Sequence, residues 1–415
     1  MATLHELVTP FRGERYSASD HLSRLLAPPY DVIRPPQRAE FAGRDEHNIV
    51  HVMLPEAPAG TDAYARAAQL LAQWRAAGAL GRDAEPTVTV MAQTFTLPDG
   101  SRRTRTGVFG AVAAEGYGPR RVRPHERTHR GPKVDRLALL RATRTNVESI
   151  FLLAPDPDGT LADALARVTA GPATVEGALD DVAIRLWVVS GDAALRLTAS
   201  CSRLPLYIAD GHHRYETASA FAAEDPAAAR LLGFVVSLRD PGLVVLPTHR
   251  IVHGAGRDLA RLLDLWRPSF EVTSLEPEED ALARLAAARD RTACVVAWPG
   301  GQRFLLALKP DADLTLFKRL EVEPTVQALD VARIELMVVK EVIRAGDTTV
   351  TLDYSPDGAA ALARARGAKA AVVVLLNPTP VAQVLAVADA GGVMPPKSTY
   401  FVPKVPSGVV LLPVG

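Results

Sequence analysis

The sequence predicts an α+β fold. Two runs of strand-forming residues, Thr87 to Thr96 and Thr104 to Ala113, flank Pro98-Asp-Gly100, and that order is a hairpin signal. Strand and helix patterns alternate from Ser149 through residue 260. Hairpins mixed with strand–helix units argue against a doubly wound parallel sheet. The chain also lacks G-x-x-x-x-G-K-[ST], G-x-G-x-x-G and G-x-S-x-G motifs, which weakens P-loop, Rossmann and hydrolase readings.

Taken in order, Ala27-Pro-Pro-Tyr-Asp-Val32 is an extended, proline-stiffened approach, and a helix starts after Pro35-Pro36. Asn48 to Leu54 alternates weakly, as a strand would. Ala63 to Ala77 is an amphipathic helix with Tyr64, Ala67, Leu70, Leu71 and Trp74 on one side. Residues 121–136 are dense in charge and show neither period, and Val134 to Arg144 turns helical. Helices are expected at Ala281 to Arg289, Ala328 to Arg344 and Val381 to Ala390, with a β-branched strand at Ala370 to Leu376. Three regions are expected: 1–190, a central 191–260 to which residues 1–55 are candidate contributors, and 261–415.

Composition narrows the function. The apolar share of 48% describes a globular chain with a sizeable core. Lys plus Arg and Asp plus Glu both number 47, so no overall field recruits nucleic acid or an anionic membrane. Neither a signal peptide nor a membrane span is legible, which points to a cytoplasmic enzyme or regulator. Cys201 and Cys294 sit in apolar surroundings and read as buried thiols.

The most telling stretch is Leu206-Tyr-Ile-Ala-Asp-Gly-His-His-Arg-Tyr-Glu-Thr-Ala218. An apolar strand ends at Asp210-Gly211, and a helical pattern opens from about His213. Unpaired amides and the helix dipole at such a start favour an anion, and Gly211 admits close approach. His212, His213 and Arg214 add donors and positive charge, so phosphate is the natural guest. The plainer alternative is an N-cap aspartate and a turn glycine with solvated histidines.

Arg123-Pro-His-Glu-Arg-Thr-His-Arg-Gly-Pro-Lys-Val-Asp-Arg136 packs nine ionisable side chains into fourteen positions. It is either a solvated loop or a functional one, with His125 and Glu126 as candidate bases and Arg123, Arg127 and Lys133 as phosphate ligands. Leu246-Pro-Thr-His-Arg250 places a further His-Arg pair at a strand end, and Lys397 stands in a proline-stiffened C-terminal segment with apolar Tyr400 and Phe401. None of the histidines has zinc-ligand spacing, so no zinc is expected. Magnesium carried with a nucleotide needs few carboxylates, and Asp210 and Glu216 are available for it.

Ala209-Asp-Gly-His-His-Arg-Tyr-Glu-Thr-Ala218 resembles the signature of the bacterial and archaeal domain of unknown function 1015 family. So do Ala27-Pro-Pro-Tyr-Asp-Val32, Arg123-Pro-His-Glu-Arg-Thr128, Leu246-Pro-Thr-His-Arg250, Leu376-Asn-Pro-Thr-Pro380 and Met394-Pro-Pro-Lys-Ser-Thr-Tyr400, in the family's order. More distantly, the Asp-Gly-His-x-Arg turn resembles that of free serine kinases on the ParB/sulfiredoxin fold, a likeness confined to residues 200–225. That resemblance implies a ParB/sulfiredoxin-like mixed core with family-specific insertions and a C-terminal extension. It also implies a nucleoside di- or triphosphate with Mg²⁺ and a phosphotransferase acting on a small hydroxylated metabolite such as free serine or phosphoserine. In that scheme Gly211 and the following amides bind phosphate. Arg214 and the histidines stabilise the transferring group, Asp210 or Glu126 takes the hydroxyl proton or holds Mg²⁺, and Arg127, Arg250 and Lys397 assist with phosphate. A nucleotide-binding switch and a phosphomonoesterase are the alternatives.

Overall fold

The structure, a computed structural model, describes residues 6–17, 21–128, 130–255, 258–346, 349–366 and 370–414. These residues form two compact units, one of 1–124, 128–244 and 403–415 and the other of 125–127 and 245–402. Helices and strands are mixed in both, as an α+β fold requires. Among the described residues no helix is long and apolar enough to cross a membrane.

The first unit is built on a nine-stranded sheet. Its order is Val122–Arg123, Leu206–Asp210, Ile150–Ala154, Arg230–Ser237, Arg102–Ala113, Thr87–Thr96, Val182–Ser190 and Val175–Leu179, with Val8–Thr9 also pairing Arg102–Ala113. Thr87–Thr96 and Arg102–Ala113 are the expected hairpin, paired in register from Thr89↔Phe109 to Thr96↔Arg102. Leu206–Asp210 runs parallel to Val122–Arg123 but antiparallel to Ile150–Ala154. An irregularity between Ile208 and Asp210 breaks the strict alternation of that strand just before it ends. Bulges of this kind re-aim the side chains that follow them. The last residues return to this unit: Leu412–Pro413 pairs Thr145–Asn146, and Val409 through Leu412 are buried.

Local chemistry explains where the elements depart from expectation. Asn48 to Leu54 is not a strand, because the Asn48 Oδ1 accepts the Val50 N–H at 2.9 Å and opens a helical turn, Val50–Met53. The charged run resolves into the short strand Val122–Arg123 and the helix Arg130–Thr143, while His129 lies outside the described residues. The helix expected over Ala328 to Arg344 is interrupted by a π-turn at Glu335–Val339. Cys201 and Cys294 are free and buried, as read.

The second unit carries a six-stranded antiparallel sheet in the order Phe270–Leu275, Arg303–Leu308, Ala293–Ala297, Val372–Leu376, His249–His253 and Thr351–Ser355. Alternation divides its side chains between two cores. Val252, Cys294, Val296, Val372 and Val374 pack with Trp266, Ile334 and Val338, whereas Ile251, Val295, Val373 and Leu375 pack with Leu285 and Ala361.

Within that sheet the buried His249 accepts the Leu376 N–H on its Nδ1 at 3.1 Å. Burial, reinforced by the neighbouring Arg250, pushes its pKa down from 6.5 to about 4. The folded chain therefore holds the neutral ring, and the unfolded chain takes up a proton first as pH falls. Stability should be lost as pH drops from 6.5 towards 4, by about 3 kcal/mol in full. Urea titrations across that range should show the loss in the natural chain and a flatter profile in His249→Gln. Equal slopes would remove His249 as the source.

Candidate functional site

Several charged side chains of the first unit meet at the end of the strand Leu206–Asp210. Gly211 follows with φ of 94°, and the helix His212–Glu224 begins at once. A β-carbon at Gly211 would meet the Arg214 guanidinium at 3.1 Å and Ile150 at 3.0 Å, in a backbone conformation that side chains rarely adopt. The tight turn brings Arg214, four residues on, back over Asp210.

The Asp210 carboxylate carries a cation on each oxygen. Lys404 Nζ donates to Oδ1 at 2.8 Å and Arg214 Nη2 to Oδ2 at 2.7 Å. Burial alone would raise its pKa, but Lys404, Arg214 and His212 outweigh it and hold the carboxyl well below the usual carboxylate range. Arg214 is further fixed by donating Nη1 to the Ser149 carbonyl. Burial opposes its charge, and Asp210, Glu148 and Asp31 overcome that and raise its pKa. His212 is buried and His213 half-buried.

Two further layers position this pair. Arg105, fully buried, donates to Gln93 Oε1 at 2.5 Å and to the Pro403 carbonyl at 2.7 Å, and Gln93 Nε2 donates to the Lys404 carbonyl at 3.1 Å. Main-chain anchors on both residues thus aim the Lys404 side chain. Arg105 lies 4.5 Å from the Phe151 ring centroid, and burial lowers its pKa to about 9 against the pull of Asp240 and Asp210. On the other side, Glu148 accepts the Tyr30 N–H at 3.0 Å and pairs with Arg136 at 3.2 Å, while Arg136 lies 4.3 Å from the Tyr30 ring centroid. The exposed Asp31 follows Tyr30 and interacts electrostatically with Arg214.

The residues singled out in the sequence fall into two sets. Asp210, Gly211, His212, His213 and Arg214 share the turn of the first unit. Glu216, one helical turn on, accepts from Thr128 at 2.6 Å and Lys133 at 2.9 Å. His125, Glu126, Arg127, Arg250 and Lys397 belong to the second unit. There Arg250 pairs with Glu335 at 3.2 Å, and Tyr354 has a pKa raised by burial and by Glu335 and Glu126, against Arg250. His125 is buried 3.4 Å from the Thr399 hydroxyl. Arg127 and Lys397 are exposed, the latter with φ of 56°. Both Asp210 oxygens are engaged by cations, so Mg²⁺ does not fit there without displacing one. Among the described residues no group of three or more His, Cys, Asp or Glu side chains is placed to hold a metal ion.

Residues 8–332 match the family model described as protein of unknown function, DUF1015. The chain belongs to that family. No curated relative matches it. Among solved structures, a conserved hypothetical protein from Pyrococcus furiosus is 16% identical with a TM-score of 0.36, covering 72% of this chain and 93% of its own. A free serine kinase variant in complex with AMP is 15% identical with a TM-score of 0.37, covering 71% and 87%. SbnI with a C-terminal truncation, from Staphylococcus aureus, is 10% identical with a TM-score of 0.36, covering 72% and 84%. Likeness at this level carries no functional argument.

In this DUF1015 member, sequence reasoning missed Lys404, Glu148, Arg136, Arg105, Tyr30 and Asp31. Tyr30 and Asp31 had a signal, since they stand in the quoted Ala27–Val32 motif, and Arg136 closes the quoted charged run. Glu148 and Arg105 carried none.

The bridge predicts a coupling. Asp210→Asn removes the carboxylate that Lys404 and Arg214 share and should destabilise the fold by about 1–3 kcal/mol. Lys404→Met should cost less, because Arg214 still answers the carboxylate. The double variant should lose less than the sum, which denaturant titration of all four chains would measure. Strict additivity would mean that the ion pair contributes nothing.

Proposed function

We propose that this chain is a nucleotide-dependent phosphotransferase acting on a small hydroxylated metabolite, with free serine as the first substrate to test, and that transfer occurs at the Asp210–Arg214 turn. The observation that carries this reading is the Asp210 carboxylate bridging Lys404 and Arg214 at the start of a 13-residue helix. That bridge sets Lys404 and Arg214 beside the amides of His212, His213 and Arg214, where the helix dipole favours an anion. Phosphoryl transfer asks for this more than for covalent chemistry, since positioning and charge neutralisation supply most of its rate.

The roles follow from the electrostatics. Gly211 and the first amides hold the phosphate, while Lys404 and the half-buried His213 face its charge. Arg214, already shared between Asp210 and Ser149, orients the carboxylate and adds field more than direct contact. Asp210 is held deprotonated too firmly to act as a base, which makes it an anchor. Asp31, exposed and coupled to Arg214, is the proton acceptor for the substrate hydroxyl. Glu126, His125, Arg127, Arg250 and Lys397 belong to the second unit and have no role in this reading.

Phosphorus NMR of purified protein with ADP, ATP or CTP, with and without serine, tests the reading. A phosphoserine signal that needs both nucleotide and serine is expected. Free phosphate without serine would mean an esterase, and unchanged nucleotide a switch. Asp31→Asn should lower kcat by about 10²–10⁴-fold with the melting temperature unchanged. Full activity in that variant would remove Asp31 as the acceptor.

A further inference from the structure

The face of the helix His212–Glu224 that starts at His213 continues through Glu216 to Ala220, because positions three and four apart share a face. Along it lies a cavity of about 390 Å³ whose lining includes Tyr117, Lys133, Val134, Glu216, Thr217 and Ala220. That volume falls in the range of small-molecule sites. Nothing in the phosphoryl-transfer scheme above uses it.

Its walls are held in place. The Tyr117 ring stacks on Tyr215 at 5.3 Å and 19°. Tyr215 is tied down by its hydroxyl, which donates to the Gly116 carbonyl at 3.0 Å, and the Gly116 N–H donates to Ser219 Oγ at 3.2 Å. An aromatic face is thereby fixed at the cavity with little freedom left to lose. Glu216 is oriented by Thr128 and Lys133 through its Oε2. The buried Thr217 hydroxyl has no hydrogen-bond partner among the described residues. Val134 stands 61% exposed among the lining residues, an apolar surface that a ligand would cover.

We infer that this cavity receives the nucleoside of a nucleotide whose phosphates sit on the amides of His212 to Arg214. The inference rests on the phosphate reading proposed above. Tyr117 stacks on the base, since every base presents a π-face. Glu216 accepts the ribose hydroxyls, as carboxylates do in other nucleotide sites. The Thr217 hydroxyl meets the edge of the base. At 1.5 Å per residue, His213 to Ala220 spans about 10 Å along the helix, the reach of a diphosphate and a ribose laid end to end.

Isothermal titration of the full chain with ADP, inorganic pyrophosphate and adenosine separates the two claims. Ala220→Phe, which fills the cavity from an exposed position, and Tyr117→Ala should each weaken ADP by roughly 10- to 100-fold. Pyrophosphate affinity should stay unchanged, and Tyr117→Phe should bind ADP as the natural chain does. Undiminished ADP affinity in folded Ala220→Phe and Tyr117→Ala would overturn the inference. A natural chain that binds pyrophosphate as tightly as ADP would overturn the pocket and keep the phosphate site. Binding of adenosine without pyrophosphate would do the reverse.

Discussion

The Asp210 carboxylate, gripped by Lys404 on one oxygen and Arg214 on the other, is the interaction on which the first unit's site depends. It joins two parts of the chain that have no local reason to meet: the strand–helix turn at Asp210–Arg214 and the returning C-terminal segment. A buried carboxylate without partners would cost several kcal/mol, and so would either cation alone. Each group is stabilised by the others, and Arg214 is held further by Ser149 and Glu148.

Around that bridge the charge alternates. Arg214 feels Glu148 and Asp31 as well as Asp210, and Glu148 leads on to Arg136 and the Tyr30 backbone. Arg105 performs a different task, holding the Pro403 carbonyl while Gln93 holds that of Lys404, so that Lys404 arrives at the right depth. Catalytic sites need donors fixed before the reaction begins, and buried networks of this kind supply that fixity. The depressed pKa of Asp210 follows from the same crowding. A carboxylate that two cations keep ionised serves poorly as a base.

The second unit shows a comparable economy on a smaller scale. Arg250, wholly buried, pairs with Glu335, and Glu335 opens the π-turn that interrupts an otherwise regular helical stretch. Wide turns of this type often mark functional positions, because they shift a side chain off the helical register. Glu126 and Tyr354 share the electrostatic neighbourhood of that pair. Motifs far apart in sequence, around residues 125, 250 and 335, therefore meet within one unit.

What the sequence by itself determined is what short-range physics controls. The hairpin at residues 87–113 was legible because alternation and turn chemistry act over a few positions, and so was the strand–glycine–helix order at Asp210. Family membership was legible because its motifs lie in order along the chain. The helical turn at Val50–Met53 was misread, since one asparagine side-chain bond overrode a weak alternation. Only the tertiary structure decided that Lys404 meets Asp210 across 194 positions, and that Glu148 and Arg105 support the site at all. No local pattern encodes those pairings. They are set by sheet register and by the rule that a buried charge must find its opposite wherever the fold brings one.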